Sequence, residues 1–173
     1  MTARYTLGID PGVSGAIACL DENQKLCWVL DMPVMTLSGT KQQVNGAEIT
    51  RFFKENLTRG SSGNFLDVLA YVELVHTMPG QGGSSQGNFM MSYGKVLGAL
   101  EALGIPYRLV TPQSWKRRAG VPGKKTGPDG KKNINADMSR TLAQQLYPDA
   151  PLGLKKHVGR ADAILIAKYG GAV

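Results

Sequence analysis

Asp10, Glu73 and Asp162 each interrupt an apolar stretch, and an acid in such a setting needs a physical reason. Tyr5, Leu7 and Ile9 alternate with Thr6, Gly8 and Asp10, and Pro11-Gly12 turns the chain directly afterwards. This is the period of a strand whose terminal Asp10 lies on the face opposite the main apolar set. Glu73 is the only charge between Val68 and Val75. Buried and ionised it would cost several kcal/mol unless a cation or hydrogen-bond donors compensate. Asp162 falls in the first turn of GRADAILIAKY, near the positive end of a helix. Singly, each has an ordinary explanation: a turn cap, a strand-end salt bridge, a helix N-terminal acid. Brought together, three carboxylates repel one another and hold their protons unless divalent cations keep them ionised. Hard oxygen ligands of this kind select Mg²⁺ or Mn²⁺. Two such ions ~3.5 to 4 Å apart activate a water and stabilise the leaving oxygen of an in-line phosphodiester displacement.

His157 precedes Asp162 by five residues, a poor step for sharing one helix face at ~100° per residue. It is a candidate for metal or water contact only if the helix begins after it; otherwise it belongs to an exposed basic turn. His76, three residues after Glu73, reads as a loop residue and a candidate DNA contact. Trp115 reads as a core residue capping a short helix, with stacking or phosphate contact by Trp115 and Lys116 as the alternative. The only cysteines, Cys19 and Cys27, are too few for a disulfide framework and lack metal-ligand spacing. Buried free thiols in a reducing cytosol are expected.

Charge divides the chain. Residues 1–86 carry six basic and eight acidic side chains, whereas residues 87–173 carry fourteen and five. The stretch KRRAGVPGKKTGPDGKK holds Lys116, Arg117, Arg118, Lys124, Lys125, Lys131 and Lys132 against one acid, Asp129. A basic loop over about 116–134 is a candidate polyanion-binding element, a solvated charge run being the plainer reading.

The elements that must position these residues follow from periodicity and turn chemistry. Ala16 to Leu20 and Leu26 to Leu30 read as strands joined through DENQ, so the chain opens as an antiparallel three-strand meander. Asn45 and Glu48 resemble a capping box for a helix ending near Leu57. Val68 to Leu74 reads as a central strand covered on both faces. PGQGGSSQG, residues 79–87, reads as a loop, followed by a helical stripe of Phe89, Met90, Tyr93, Val96, Leu97, Leu100 and Leu103. Tyr107 to Val110 is a short strand, and Thr111-Pro112 caps a short helix through Trp115. Ala136 to Tyr147 reads as a helix with Met138, Leu142, Ala143 and Leu146 inward, and Gly159 to Tyr169 as the last helix. The order predicts an α/β fold with a mixed five-stranded sheet, its first three strands antiparallel, flanked by helices. Its commonest home is a ribonuclease H-like sheet. With 173 residues and 42% hydrophobic composition, a single domain over 1–173 is expected. No apolar run approaches the ~18 to 20 residues of a membrane span, and the first residues lack the pattern of a signal peptide.

Four segments in this order resemble RuvC-type Holliday junction resolvases, of the ribonuclease H superfamily, particularly their phage-type branch: GIDPGVSG, YVELVHTMPGQGGSSQGNFMMSYGKVLGAL, VTPQSWK and GRADAILIAKY. The resemblance implies a Mg²⁺-dependent endonuclease that cuts branched DNA as a homodimer on a four-way junction, in the cytoplasm of a bacterial cell or phage-infected host. It implies Asp10, Glu73 and Asp162 as acidic ligands. The family usually carries a further ligand three residues before the last-helix Asp, where this chain has Gly159, so His157 becomes a candidate substitute. Some members carry an aromatic wedge where this chain has His76, which leaves junction opening to Phe89, Met78 or another residue. The start of the stripe at Phe89 could be core or a dimer surface.

Three other functions compete. A ribonuclease H-like nuclease could act on RNA-DNA hybrids, flaps or forks. A non-catalytic DNA-binding module would leave the convergence of three acids without purpose. GIDPG also opens actin-like ATPases, but that fold needs two such domains and roughly twice this length.

Overall fold

A computed structural model describes residues 4–57, 67–75, 83–121 and 136–171. His76, Met78, Lys124, Lys125, Lys131 and Lys132 lie outside the described residues. Five strands form a sheet in the order β3-β2-β1-β6-β7: β1 (Tyr5–Asp10), β2 (Ala16–Asp21), β3 (Leu26–Asp31), β6 (Val68–Glu73) and β7 (Tyr107–Val110). The first three pair antiparallel, and β1–β6 and β6–β7 pair parallel. The expected class and mixed sheet are therefore present.

Alternation along the strands divides the core into two layers. Leu7, Ile9, Ile17, Cys19, Ala70 and Val72 face one side, where α1 (Gly46–Leu57) supplies Ile49 and Phe53 and α2 (Gly83–Ala102) supplies Val96 and Leu100. Ala16, Ala18 and Tyr71 face the other, against α3 (Pro112–Arg118), α4 (Ala136–Leu146) and α5 (Val158–Tyr169). Asn45 caps α1 as its spacing predicts, its side-chain oxygen accepting the Glu48 N–H at 3.2 Å.

Four local expectations need correction. A hairpin, β4 (Val34–Ser38) and β5 (Lys41–Val44), follows β3; its strands are mostly exposed, and the signal that marks it is Gly39 at φ +55° in a two-residue turn. The loop expected over 79–87 gives way to α2 from Gly83. In α4, Met138 and Leu146 point to solvent, whereas Ser139 and Ala143 are buried, so the inward face is displaced from the apolar stripe. Cys19 is buried, but Cys27 is exposed: it is the extra residue between the Leu20↔Leu26 and Cys19↔Trp28 pairs, where a bulge twists the sheet edge.

The inner position of α5 depends on Gly8. A β-carbon there would lie 2.0 Å from the Ala163 carbonyl oxygen and 2.2 Å from the Ala167 nitrogen, both backbone atoms that cannot swing aside. Helix and strand thus touch through their main chains. Gly8→Ala must push α5 off the sheet, and we expect a loss of at least about 3 kcal/mol, lowering Tm by roughly 6 to 12 °C. Thermal unfolding checks this; a Tm within about 2 °C of wild type would show that the contact is not limiting.

Candidate active site

The strand register brings two of the three acids together. Ile9 pairs with Val72 across β1 and β6, so Asp10 and Glu73 follow on the next rung, and both strands end there. Ile9 and Val72 face the layer of α1 and α2, so the alternation turns Asp10 and Glu73 toward α5. The helix runs antiparallel to β1, with Ala163 and Ala167 over Gly8 and Gly159 over the turn after β1, which brings Asp162 to the level of Asp10.

Electrostatics record this convergence. Asp10 keeps some solvent access but is hemmed in by protein atoms, and its pKa is pushed up from 3.8 to about 7. Burial is the largest cause, followed by repulsion from Glu73 and then from Asp162. The Gly12 N–H, 3.4 Å from Asp10 Oδ1, and the Lys116 ammonium oppose the shift and do not cancel it. Glu73 accepts a hydrogen bond at Oε1 from the Trp115 indole, with Nε1 at 2.9 Å. The Lys116 ammonium lies 5.0 Å from the centre of a Trp115 ring.

The donor set fits a hard divalent cation by its chemistry: carboxylate oxygens from three elements, and an Asp10 carboxyl whose pKa is raised by burial and then by its acidic neighbours. Among the described residues, no group of three His, Cys, Asp or Glu side chains is close enough to hold one ion. For all three to hold one cation the carboxylates would have to close in, and the ion's charge would offset their mutual repulsion.

The remaining candidates are placed differently. His157 ends a 3-10 turn (Lys155–His157), and its Nδ1 accepts the Leu154 N–H at 3.3 Å. The carboxylate that faces it belongs to Asp31, among Arg160, Lys156 and Arg140. Arg160 holds Asp31 through two hydrogen bonds, at 2.5 and 2.7 Å, and donates to the Pro151 carbonyl at 3.0 Å. The position that resembles a fourth ligand is closed to any side chain: a β-carbon on Gly159 would sit 2.3 Å from the Ser14 carbonyl oxygen. Arg118 donates to the Tyr169 and Gly170 carbonyls and so caps α5, while Arg117 is exposed. On α2, Tyr93 and Val96 belong to the core, Phe89 is half-buried, and Met90 and Met91 are exposed.

Trp115 is fully buried, as a core tryptophan should be, but sequence reasoning missed its bond to Glu73. The available signal was the lone acid of β6, which needed a donor, and a tryptophan one turn into the helix after the neighbouring strand.

Asp10 titration leaves a mark on stability. The unfolded carboxyl loses its proton near pH 3.8 and the folded one near 7, so between these values the folded state holds one more proton. Metal-free stability therefore falls as pH rises through this window, by up to about 4 kcal/mol above it. Asp10→Asn, neutral throughout, removes the fall. With chelator present, its Tm should exceed that of wild type near pH 8, with the gap closing near pH 4; a gap independent of pH would contradict the assignment.

No family model matches the chain. The chloroplastic Holliday junction resolvase MOC1 of Chlamydomonas reinhardtii is 36% identical over 101 residues, 57% of this chain and 10% of that protein. The chain thus spans about a tenth of the curated relative it matches. Thermus thermophilus RuvC, solved in complex with a Holliday junction substrate, superposes with a TM-score of 0.57 at 16% identity, over 94% of this chain and 89% of RuvC. A second Thermus thermophilus RuvC structure gives 0.50 at 14% identity, covering 96% and 95%. The resemblance read from the motifs holds in three dimensions: this chain has the ribonuclease H-like fold of RuvC.

Proposed function

We propose that the chain is a divalent-metal-dependent endonuclease that resolves Holliday junctions and related branched DNA. The observation that carries this reading is the convergence of Asp10, Glu73 and Asp162 at one sheet end, with Asp10 held near neutral pKa by burial and its two acidic neighbours. The fold shared with RuvC and the 36% identity to MOC1 support it.

In this reading Asp10, Glu73 and Asp162 hold Mg²⁺, with Mn²⁺ as a substitute, in a site that takes two ions. When bound, the ions supply charge stabilisation and an activated water for phosphodiester hydrolysis. Asp10 and Glu73 arrive on paired strands and Asp162 on a helix locked by Gly8, so the fold brings the three acids to one end of the sheet and a bound cation would close them into a ligand set. Lys116 sets a fixed cation beside Asp10, suited to a scissile phosphate. Arg117, Arg118, His76 and the lysines of the basic loop engage neighbouring phosphates, which positions the duplex arms without reading sequence. His157, placed beside Asp31, serves in this reading as a water or phosphate contact at the rim.

A four-way junction has two-fold symmetry, and paired cuts are best made by a two-fold symmetric enzyme. We infer a homodimer using the exposed part of α2, Met90 and Met91 with half-buried Phe89. The whole chain acts as one nuclease domain. No helix among the described residues is long and apolar enough to cross a membrane, and a cytoplasmic site of action fits the substrate.

Cleavage of a synthetic four-way junction with Mg²⁺ or chelator, beside hybrid, flap and fork substrates, tests the proposal. We expect Mg²⁺-dependent paired cuts in the junction; preferential cutting of the hybrid would move the chain to a ribonuclease H-like activity. Asp10→Asn, Glu73→Gln and Asp162→Asn should each slow cleavage by roughly a thousandfold or more, with junction binding near wild type. Wild-type rates at saturating Mg²⁺ would remove that residue from the site. Replacing Lys124, Lys125, Lys131 and Lys132 together by Ala should flatten the slope of log K against log salt, by about one for each lost phosphate contact. An unchanged slope would leave the loop as solvated charge.

A further inference from the structure

We propose that Trp115 is a positioning residue for Glu73, and that its indole N–H tunes the affinity of the carboxylate site for its cation. This rests on the metal-site reading above and adds to it a group that cannot itself ligate metal. The contact is direct, with Nε1 2.9 Å from Glu73 Oε1, and the Trp115 side chain is fully buried. Its placement follows from the fold. Glu73 pairs with Val110 at the end of β7, and α3 begins two residues later at Pro112, behind the Thr111 cap. The Thr111 hydroxyl oxygen accepts the Ser114 N–H at 3.2 Å, which fixes the first turn and returns the next residue, Trp115, over the strand end.

The chemistry of the donor matters. An indole N–H donates and cannot accept, so Glu73 Oε1 is the acceptor in this bond. A bond from a buried donor to a charged acceptor is stronger than one between neutral groups, and it restricts the rotamers of the glutamate. A lysine or arginine in this place would also hold Glu73, but its charge would oppose a metal ion. The neutral indole keeps the carboxylate oriented and leaves its charge available. Orientation of ligands by such outer hydrogen bonds commonly changes metal affinity by about ten- to a hundredfold.

Trp115→Phe keeps an aromatic ring and deletes the N–H. Calorimetric titration of the metal-free protein with Mn²⁺ should show about tenfold weaker binding for this variant than for wild type, with metal-free junction affinity unchanged. A second measurement needs no change at Trp115. The chain has two tryptophans, and Trp28 packs edge-to-face on Phe52 in the opposite core layer. Trp28→Phe therefore leaves Trp115 as the sole tryptophan, excited selectively over the six tyrosines at long wavelength. Its fluorescence should change saturably with Mn²⁺, with a midpoint matching calorimetry on the same variant. Unchanged Mn²⁺ affinity in Trp115→Phe, or Trp115 emission that ignores Mn²⁺ while calorimetry registers binding, would overturn the proposal. Should Trp115→Phe fail to fold, the emission titration decides alone. Wild type that takes up no Mn²⁺ would defeat the metal-site reading itself and this inference with it, an outcome distinct from the other two.

Discussion

Repulsion among Asp10, Glu73 and Asp162 is the interaction around which the rest of the structure is arranged. A fold gains nothing in stability by crowding negative charges into a poorly solvated strand end, and Asp10 shows the consequence in a pKa near 7. Such a cluster persists because stronger packing holds its members in place. Two parallel strands in register carry Asp10 and Glu73 to one rung, and main-chain contact between Gly8 and α5 leaves Asp162 little freedom to withdraw. The strain belongs to the carboxylates and the stability to the core on both faces of the sheet.

Around this centre the Trp115 indole donates to Glu73 and the Lys116 ammonium is felt by Asp10, while Arg117 and Arg118 close the last turn of α3, Arg118 on the carbonyls that end α5. α3 is short, yet it follows the end of β7 directly and carries both Trp115, which touches Glu73, and the cations Lys116, Arg117 and Arg118. On the opposite flank, Arg160 joins α5 to Asp31 at the end of β3 and to Pro151, which steadies the turn leading into the helix of Asp162.

The acids themselves were legible in the sequence, because a lone charge in an apolar strand or helix stands out against its neighbours. The mixed sheet was legible for a related reason: strands and a helix buried on both faces read as near-continuous apolar runs. What escaped detection depends on backbone proximity or on partners distant in sequence. Gly159 looks like a missing ligand until the Ser14 carbonyl is seen pressed against it. The β4–β5 hairpin is largely exposed, with Met35 and Leu37 open to solvent, so no buried apolar run announces it and its turn does. Met138 and Leu146 obeyed helical spacing but face water, because α4 meets α5 through Ser139 and Ala143. The hydrogen bond from Trp115 to Glu73 spans 42 residues of sequence and two parallel strands, beyond any local pattern.

The most direct test of this account is the titration of Asp10 itself, followed through its side-chain carboxyl carbon by NMR in metal-free protein and again with saturating Mg²⁺. The account predicts a midpoint near 7 without metal, a lower midpoint in Glu73→Gln and in Asp162→Asn, and a fall toward the ordinary carboxylate range when Mg²⁺ is bound. A midpoint near 3.8 in the metal-free protein, unmoved by either substitution or by Mg²⁺, would show that the three carboxylates do not form one site.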